Sequence, residues 1–461
     1  MPPDHPSLDA NALVGRYTRH VNPAFVKLLG VFGYGRVYAR AQDVWVWDAG
    51  GRRYLDLLAG FGSINLGHNH VRLVARLREF LNEDAVQFCH VGPSPHAADL
   101  AAHLASCLPQ PLEVVLLSNS GAEAVEAALK LARAATSRHG FIYCDGAYHG
   151  TSLGTLSVMG AQRLRRPFEP LLADCVAIPF GDLPRLETAL APRQAAAFIV
   201  EPVLCEGGVV LPPQGYLQAA RELCKRHGAL FILDEVQTGL GRTGTMFACQ
   251  AENVVPDIIV LAKALSGGIA PIGATVTSAE IHARAYGSMD RFDLHSTTFG
   301  GNAFACTAAL ETLRIIADTG LVANSAARGE QLLPGLRARL AGHPLVRDIR
   351  GRGLLVGIEL GPTEAGWLNR LAPSLVSLVS EKVFGQWLAL KLLEKGFICQ
   401  PAAHHGNVLK LEPPLTIAGA QIDEAVNAVA EVLGEYQSLG PILTDVTGRL
   451  QSQFRTGWAF R

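Results

Sequence analysis

The chain has 461 residues, of which 49% are hydrophobic and 18% are charged, and 40 basic residues nearly balance 41 acidic ones to give a formal net charge of −1. This composition indicates a large, well-buried protein of two or three packed units and argues against a disordered chain. The balanced charge argues against a nucleic-acid or membrane-surface role. The 9 cysteines are scattered without a C-x-x-C pair, which indicates thiols in a reducing compartment rather than a disulfide framework.

The sequence predicts neither a targeting segment nor a membrane span nor a metal site. The first residues lack the basic and apolar regions of a signal peptide, and no apolar run reaches membrane-spanning length. Two histidine pairs, His68/His70 and His404/His405, lack a cysteine or carboxylate partner at ligand spacing. We therefore expect a cytoplasmic protein that binds no metal, no membrane and no nucleic acid.

Residues 1–71 are predicted to form an N-terminal segment that joins a small C-terminal domain. Residues 37–48 alternate in polarity, a glycine pair follows, and the pattern continues at 53–56, which is typical of a β-hairpin. A glycine-rich stretch follows at 60–68.

Residues 72–320 are predicted to form the large domain. Short apolar runs alternate there with helical patterns, which favours an α/β fold with a doubly wound, mainly parallel sheet. Strands are predicted at 114–117, 141–144, 196–200, 230–233, 258–260 and 272–276, with helices at 123–133 and 303–317.

The last part of the chain is predicted to be a small α+β domain, residues 321–438, followed by a tail. Residues 439–461 show little periodicity, so we expect that tail to be loosely packed. In the small domain, strands are predicted at 350–360 and 407–412 and helices at 384–395 and 421–436.

Two buried runs of the large domain end in side chains that can carry chemistry. The run at 230–233 ends in Asp234, and the run at 258–260 leads to Lys263 at the same edge of the sheet, where ligands of open α/β sheets bind. Apolar neighbours favour the neutral, nucleophilic form of a lysine amine. A strand-end Asp and such a lysine are what pyridoxal phosphate (PLP) requires. Taken singly, Asp234 is equally compatible with a helix cap, and Lys263 with a snorkelling side chain.

A third element at this edge predicts a phosphate site. Ser120, Gly121 and Ala122 join a strand to the N-terminus of a helix, where free backbone N–H groups and the helix dipole favour an anion. An ordinary serine N-cap explains the same residues. The presence of Asp234 and Lys263 favours the phosphate site.

Six short motifs follow one another along the chain: SNSGAEA at 118–124, YHG at 148–150, EP at 201–202, DEVQTG at 234–239, LAKA at 261–264 and TTFGGN at 297–302. In this order they resemble the class III (ω-type) PLP-dependent aminotransferases. Four further segments, HVNPA at 20–24, LPPQGY at 211–216, TMFAC at 245–249 and LEPPL at 411–415, make the resemblance greatest to the putrescine aminotransferase branch.

The resemblance implies a fold type I PLP-dependent transferase that forms a homodimer with shared active sites. Lys263 would hold PLP as a Schiff base, and Asp234 would pair with the protonated ring nitrogen. The Tyr148 ring would stack on one face of the cofactor and Val236 on the other. The remaining cofactor-binding residues would be Ser120, Gly121, Ala122, His149, Gln237 at the ring hydroxyl, and Thr298, which would reach the phosphate of the neighbouring subunit's cofactor, with Thr297 as the alternative. Each could also have an ordinary structural role: Tyr148 as a surface aromatic, Gln237 as a turn cap and Thr298 as a loop residue without a ligand.

The substrate side departs from the family pattern. Glu206 matches a glutamate that lines the substrate pocket, and in ornithine-type relatives it pairs with an arginine that grips the acceptor carboxylate. That position is Lys410 here, and lysine cannot form the planar bidentate contact that arginine forms. Lys410 is equally compatible with an exposed strand lysine. Glu235 is expected to be a structural salt-bridge partner. Glu201 is expected to lie behind the residues that contact the cofactor and to hold them in place.

The resemblance implies a ping-pong transfer of an amino group from a terminal primary amine, such as a putrescine-like diamine or ω-amino compound, to a keto acid such as 2-oxoglutarate. The alternatives are an ornithine, acylornithine or other amino-acid aminotransferase, and a decarboxylase or racemase on the same scaffold. A binding or structural protein that has lost catalysis is a further alternative, against which the intact Lys263 and Asp234 argue.

Overall fold

The computed structural model describes residues 9–88, 90–361 and 384–456, and its strands form one seven-stranded sheet and two four-stranded sheets. The strands are β1 (Tyr38–Gln42), β2 (Trp45–Asp48), β3 (Arg53–Asp56), β4 (Val114–Ser118), β5 (Gly140–Cys144), β6 (Cys175–Ile178), β7 (Ala195–Val200), β8 (Leu230–Asp234), β9 (Ile258–Leu261), β10 (Gly273–Thr277), β11 (Val346–Arg352), β12 (Leu355–Leu360), β13 (Phe397–Ile398), β14 (Gln400–Pro401) and β15 (Val408–Leu411).

The helices connect these strands, and two short 3₁₀ turns occur at Arg166–Phe168 and Lys263–Ser266. The helices are α1 (Ala10–His20), α2 (Pro23–Phe32), α3 (Val71–Leu81), α4 (Pro95–Cys107), α5 (Gly121–Thr136), α6 (Leu153–Ser157), α7 (Gln162–Arg165), α8 (Leu183–Leu190), α9 (Tyr216–His227), α10 (Ala248–Ala251), α11 (Ala279–Tyr286), α12 (Ala303–Asp318), α13 (Leu321–Arg339), α14 (Phe384–Lys395), α15 (Gly419–Gly434) and α16 (Leu439–Thr456).

The seven-stranded sheet confirms the predicted α/β fold with a mainly parallel sheet. Its order is β4-β10-β9-β8-β7-β5-β6, and β10 runs antiparallel to both of its neighbours. Alternate residues of β8 enter two separate apolar clusters: Phe231 and Leu233 pack into one, Leu230 and Ile232 into the other. Both faces of this sheet are therefore covered, which is why its strands appear in the sequence as continuous apolar runs.

The sequence missed β6, which forms an edge of this sheet. Val176 and Ala177 are exposed, as expected at an edge, whereas Ile178 is buried. The four residues of β6, CVAI, form an apolar run like those of the buried strands, so a signal for this strand was present in the sequence. The antiparallel strand β10 begins one residue later than predicted and ends at Thr277.

The two smaller sheets combine elements from distant parts of the chain. β1, β2 and β3 form an antiparallel meander, and β3 pairs in parallel with β13. The other sheet has the order β11-β12-β15-β14. The single strand predicted at 350–360 is wrong, because β11 and β12 form a hairpin instead. Its turn includes Gly353, whose φ of +56° suits glycine.

The predicted loose tail is also wrong over residues 439–456. These residues form α16, in which Ile442 is fully buried, and Trp387 Nε1 donates a hydrogen bond to Asp445 Oδ2 at 3.1 Å. Gly440, Pro441 and Gly448 obscured the helical spacing in the sequence. Residues 457–461 lie outside the described residues. Within the part that the structure describes, none of the helices combines the length and hydropathy that crossing a membrane requires.

Candidate active site

The site lies at the edge of the large sheet where the parallel strands β8 and β9 end. Asp234 is the last residue of β8 and is in register with Val260 of β9. After β9 the chain continues through Ala262 to Lys263, which begins a 3₁₀ turn and has a positive φ of 47°. A non-glycine residue in this region is under backbone strain, a feature that clusters at functional sites. Lys263 Nζ donates a hydrogen bond to Gln237 Oε1.

Asp234 is held in a buried hydrogen-bonded pair with His149. His149 Nδ1 lies 2.7 Å from Asp234 Oδ2, and the Val236 amide donates to Asp234 Oδ1 at 3.0 Å. His149 is buried as well, and its Nε2 has no partner among the described residues. The carboxylate accepts only, so the shared proton sits on Nδ1 when Asp234 is ionised. The pair therefore holds a buried carboxylate at a fixed position at the end of β8.

Glu201 supports the loop that carries Tyr148. Its Oε1 accepts from the Tyr148 amide at 2.9 Å and its Oε2 from the Cys205 amide at 3.2 Å. Burial raises the pKa of Glu201 to about 7, and the charge of Asp234 contributes in the same direction. Glu201 therefore positions two chain segments at the site.

The predicted phosphate site is the N-terminus of α5. Ser120 Oγ accepts from the Glu123 amide at 3.1 Å, so the serine is an N-cap as the alternative interpretation held. The first backbone N–H groups of the helix, including Gly121 and Ala122, still have no acceptor within it. A cavity of about 300 Å³ is lined by Ser120, Gly121 and Lys263. One cavity thus joins an anion-binding helix end to the lysine.

These residues fit PLP. The helix end suits a phosphate, Lys263 supplies an amine, and the buried Asp234–His149 pair supplies a fixed negative charge for a protonated ring nitrogen. The close approach of Val236 also depends on a small residue, because a Cβ on Gly121 would lie 3.1 Å from Val236 Cγ1.

Tyr148 and Thr298, two of the predicted cofactor-binding residues, differ in their surroundings. The Tyr148 ring is half-buried and its centroid lies 5.8 Å from that of His404. Thr297 Oγ1 accepts from the Gly300 amide at 2.8 Å and lies 3.4 Å from Asn119 Nδ2, whereas Thr298 is exposed. Thr297 Oγ1 therefore accepts hydrogen bonds within its own chain, whereas the Thr298 side chain is exposed.

A buried charged cluster forms the second wall of the site. Lys410 is fully buried, which excludes the exposed strand lysine considered above. Lys410 Nζ donates to Glu206 Oε1 and lies 3.0 Å from Glu412 Oε1. Glu206 Oε2 accepts from the Ala403 amide at 2.8 Å, and Gln237 Nε2 donates to Glu412 Oε2 at 2.7 Å.

The charges of this cluster stabilise one another. Burial alone would raise the pKa of Glu206, but Lys410 and Lys263 hold it below its usual value. Burial opposes the charge of Lys410, yet Glu412 and Glu206 raise the pKa of Lys410 above its ordinary value. Two carboxylates therefore favour the charged form of the buried Lys410 amine.

The glycine-rich stretch lies beside this cluster. Ala59 to Gly62 have four consecutive positive φ values, a left-handed turn. This turn carries Phe61, whose ring centroid is 5.4 Å from Lys410 Nζ and whose side chain is 44% exposed.

Two side chains differ from the sequence-based expectation. Glu235 is no salt-bridge partner within the described residues: it accepts from the Ala248 and Cys249 amides at 2.6 and 2.8 Å and thereby caps α10. Glu412 was not predicted as a site residue. It follows β15 as Asp234 ends β8, so a carboxylate after a buried strand was the available signal.

A lysine beyond one strand, a buried aspartate at the end of its neighbour and an open helix N-terminus, all on a doubly wound sheet, define a fold type I PLP-dependent transferase. The chain belongs to the class III aminotransferases, because the model of the family described as "Aminotransferase class-III" matches residues 33–433.

Relatives agree with this assignment. The chain is 38% identical over 453 residues to the aminotransferase PigE of Serratia sp. (strain ATCC 39006), covering 91% of this chain and 53% of that protein, so it spans about half the length of this curated relative. The ornithine aminotransferase of Toxoplasma gondii ME49 is 30% identical with a TM-score of 0.81, covering 92% of this chain and 95% of that one. An amine transaminase from an uncultivated Pseudomonas species is 31% identical with a TM-score of 0.78, covering 87% and 95% respectively.

Proposed function

We propose that this chain transfers an amino group from a terminal primary amine, such as a putrescine-like diamine or ω-amino compound, to a keto acid such as 2-oxoglutarate. The observation that carries the proposal is the convergence of Lys263, the Asp234–His149 pair and the α5 N-terminus on one side of the buried Lys410 cluster. The test is a panel of amine donors with 2-oxoglutarate and pyruvate as acceptors, analysed by product mass. Release of carbon dioxide or inversion of a chiral donor without transfer would instead indicate a decarboxylase or racemase.

The residues of the site have separate tasks in this reaction. PLP, when bound, supplies the electron sink that stabilises negative charge on the substrate carbon. Lys263 Nζ would act as general base and then as general acid, accepting the proton of that carbon and later donating the same proton. Asp234 would face the ring nitrogen, and His149 Nδ1–H orients this carboxylate through the 2.7 Å contact. The N–H groups at the start of α5 would hold the phosphate.

The preference for a terminal amine rests on the commitment of Lys410. Lys410 Nζ is fully buried and contacts both Glu206 and Glu412, so a substrate carboxylate would have to share its three N–H donors with two carboxylates. It would also meet the like charge of both carboxylates in a buried site, which is unfavourable. A donor without an α-carboxylate avoids that cost.

We expect the wild type to prefer putrescine or cadaverine over ornithine and alanine, and Lys410→Arg to narrow that preference. Arginine offers additional donors in a planar fork, and one charge-assisted hydrogen bond contributes roughly 1.5–3 kcal/mol, which is about tenfold or more in selectivity. The measurement is kcat/KM for each donor. Lys391→Arg, at a partly buried lysine 3.2 Å from Asp445, is the matched control. A wild type that prefers alanine, or a Lys410→Arg variant without gain for carboxylate-bearing donors, contradicts the prediction.

We also propose that the chain forms a homodimer with shared sites. Several large apolar side chains near Thr298 in sequence are exposed in the single chain, including Met289 (89%), Phe292 (63%) and Phe299 (58%). Exposed apolar groups of this size are typical of an interaction surface.

The described cysteines are all free thiols, which supports the further proposal of a reducing, cytoplasmic location.

Complementation tests the shared site. Thr298→Ala is expected to weaken PLP binding about tenfold, because it removes one hydrogen bond to a charged phosphate. A hybrid dimer of Thr298→Ala and Lys263→Ala subunits retains one site with both residues intact and is expected to regain activity. Dimers that contain only Lys263→Ala subunits are the control, and we expect them to stay inactive. A verified, exchanging heterodimer without activity would count against a threonine that acts across the interface.

A further inference from the structure

Glu412 is a buried carboxylate to which the transfer reaction assigns no task. It directly follows β15, and its side chain is fully buried. Its backbone is fixed as well, because the Glu412 amide donates to the Leu57 carbonyl at 2.8 Å. One of its oxygens accepts from Gln237 at 2.7 Å, and the other lies 3.0 Å from Lys410 Nζ. Glu412 therefore connects the substrate-side cluster to the residue that contacts Lys263.

The two neighbours of Gln237 determine how its amide is oriented. Gln237 Nε2 donates to Glu412, and Gln237 Oε1 accepts from Lys263 Nζ. A carboxylate only accepts hydrogen bonds. The flipped amide would set its oxygen against the Glu412 carboxylate and lose that charge-assisted bond. Glu412 therefore fixes the orientation in which Nε2 faces the carboxylate and Oε1 faces Lys263.

The surrounding chain leaves this pair little freedom. A Cβ on Gly62 would lie 3.2 Å from Glu412 Oε2 and 3.4 Å from Gln237 Cγ, and the φ of Gly62 is +76°. The left-handed turn at Ala59–Gly62 thus brings bare backbone against the Glu412–Gln237 contact. Close packing on this side keeps the carboxylate and the amide in place.

We propose that Glu412 is a positioning residue for the cofactor and acts through Gln237. It holds the amide so that the carbonyl oxygen faces Lys263 and the second hydrogen of the NH₂ group is left for the cofactor. This inference rests on the proposed PLP-dependent function. The site then requires a carboxylate at position 412 on a side chain as long as that of glutamate.

Two Glu412 variants and one Gln237 variant test the proposal by equilibrium dialysis of PLP against the apoprotein. Glu412→Gln removes the charge at constant shape, and Glu412→Asp keeps the charge but withdraws it by one methylene. Both are expected to raise the PLP dissociation constant about tenfold, as is Gln237→Ala. In the Gln237→Ala background, the same Glu412 substitutions are expected to change it by less than about twofold, because their route of action is already absent.

The control is Asp257→Asn, which neutralises another ion-paired carboxylate, 2.9 Å from Arg221 and just before the amino end of β9. Its PLP affinity is expected to match the wild type. Thermal unfolding of each apoprotein shows whether the variant is folded. If Glu412→Gln does not fold, the PLP affinity of Glu412→Asp decides the result. Unchanged PLP affinity, or equal effects with and without Gln237, would overturn the proposal. A wild type that binds no PLP would instead refute the proposed function.

Discussion

Replacement of Lys263 by alanine is expected to abolish turnover while PLP still binds without a covalent bond. The helix N-terminus and Asp234 remain in this variant, so the phosphate and ring contacts persist. The variant loses the amine that moves the proton, and general acid–base catalysis alone contributes roughly 10²–10⁴-fold. The measurement combines kcat with bound PLP after gel filtration.

The control for Lys263→Ala is Lys225→Ala, at an exposed lysine on α9, which is expected to keep wild-type turnover. Borohydride reduction of the wild type followed by peptide mass analysis is expected to find the cofactor on Lys263. Trapping at another lysine, or wild-type turnover in Lys263→Ala, would refute the assignment.

The sequence predicted the part of the site whose residues mark strand ends. Asp234 and Lys263 each follow an unbroken apolar run, and a buried strand of a parallel sheet has a local signature. Because neighbouring parallel strands end at the same edge, their convergence followed from topology alone. Ser120, before a helical pattern, was predictable for the same local reason.

The resemblance paired Glu206 with the position of Lys410, but the sequence did not predict that Lys410 is buried or that Glu412 joins the cluster. Lys410 contacts Glu206 across 204 positions of the chain, and Glu412 contacts Gln237 across 175. A lysine on a short strand carries no local sign of its burial. Its burial follows from tertiary packing: β15 pairs with β12, and Lys410 contacts Glu206 and Glu412. The family comparison marked the position as unusual but left its surroundings open.

The tail helix shows a different limit. Ile442 and Val446 are spaced for one helix face, yet glycine and proline within the same segment lower its intrinsic helix propensity. Tertiary contacts, including Trp387 to Asp445, stabilise a segment whose local preference is weak.

Asp234→Asn is expected to reduce kcat by about 10²–10³-fold, the size of effect seen when one preorganised electrostatic contact is removed from an active site. Asparagine keeps an oxygen that can accept from His149 Nδ1 at nearly the same position, so the geometry of the pair persists and the negative charge alone is lost. The ring nitrogen then has no fixed anion to keep it protonated, and the electron sink weakens. The measurement is kcat at saturating PLP.

Asp257→Asn is the matched control here as well, because it neutralises a largely buried, ion-paired carboxylate beside the other end of the same sheet. We expect it to lower thermal stability with little change in kcat, since removing one partner of an ion pair leaves Arg221 uncompensated. Asp234→Asn should instead lose most of its kcat, while its PLP occupancy at saturation stays nearly unchanged. Equal losses of kcat in the two variants would mean that Asp234 acts through the stability of the sheet edge and not through its charge at the cofactor.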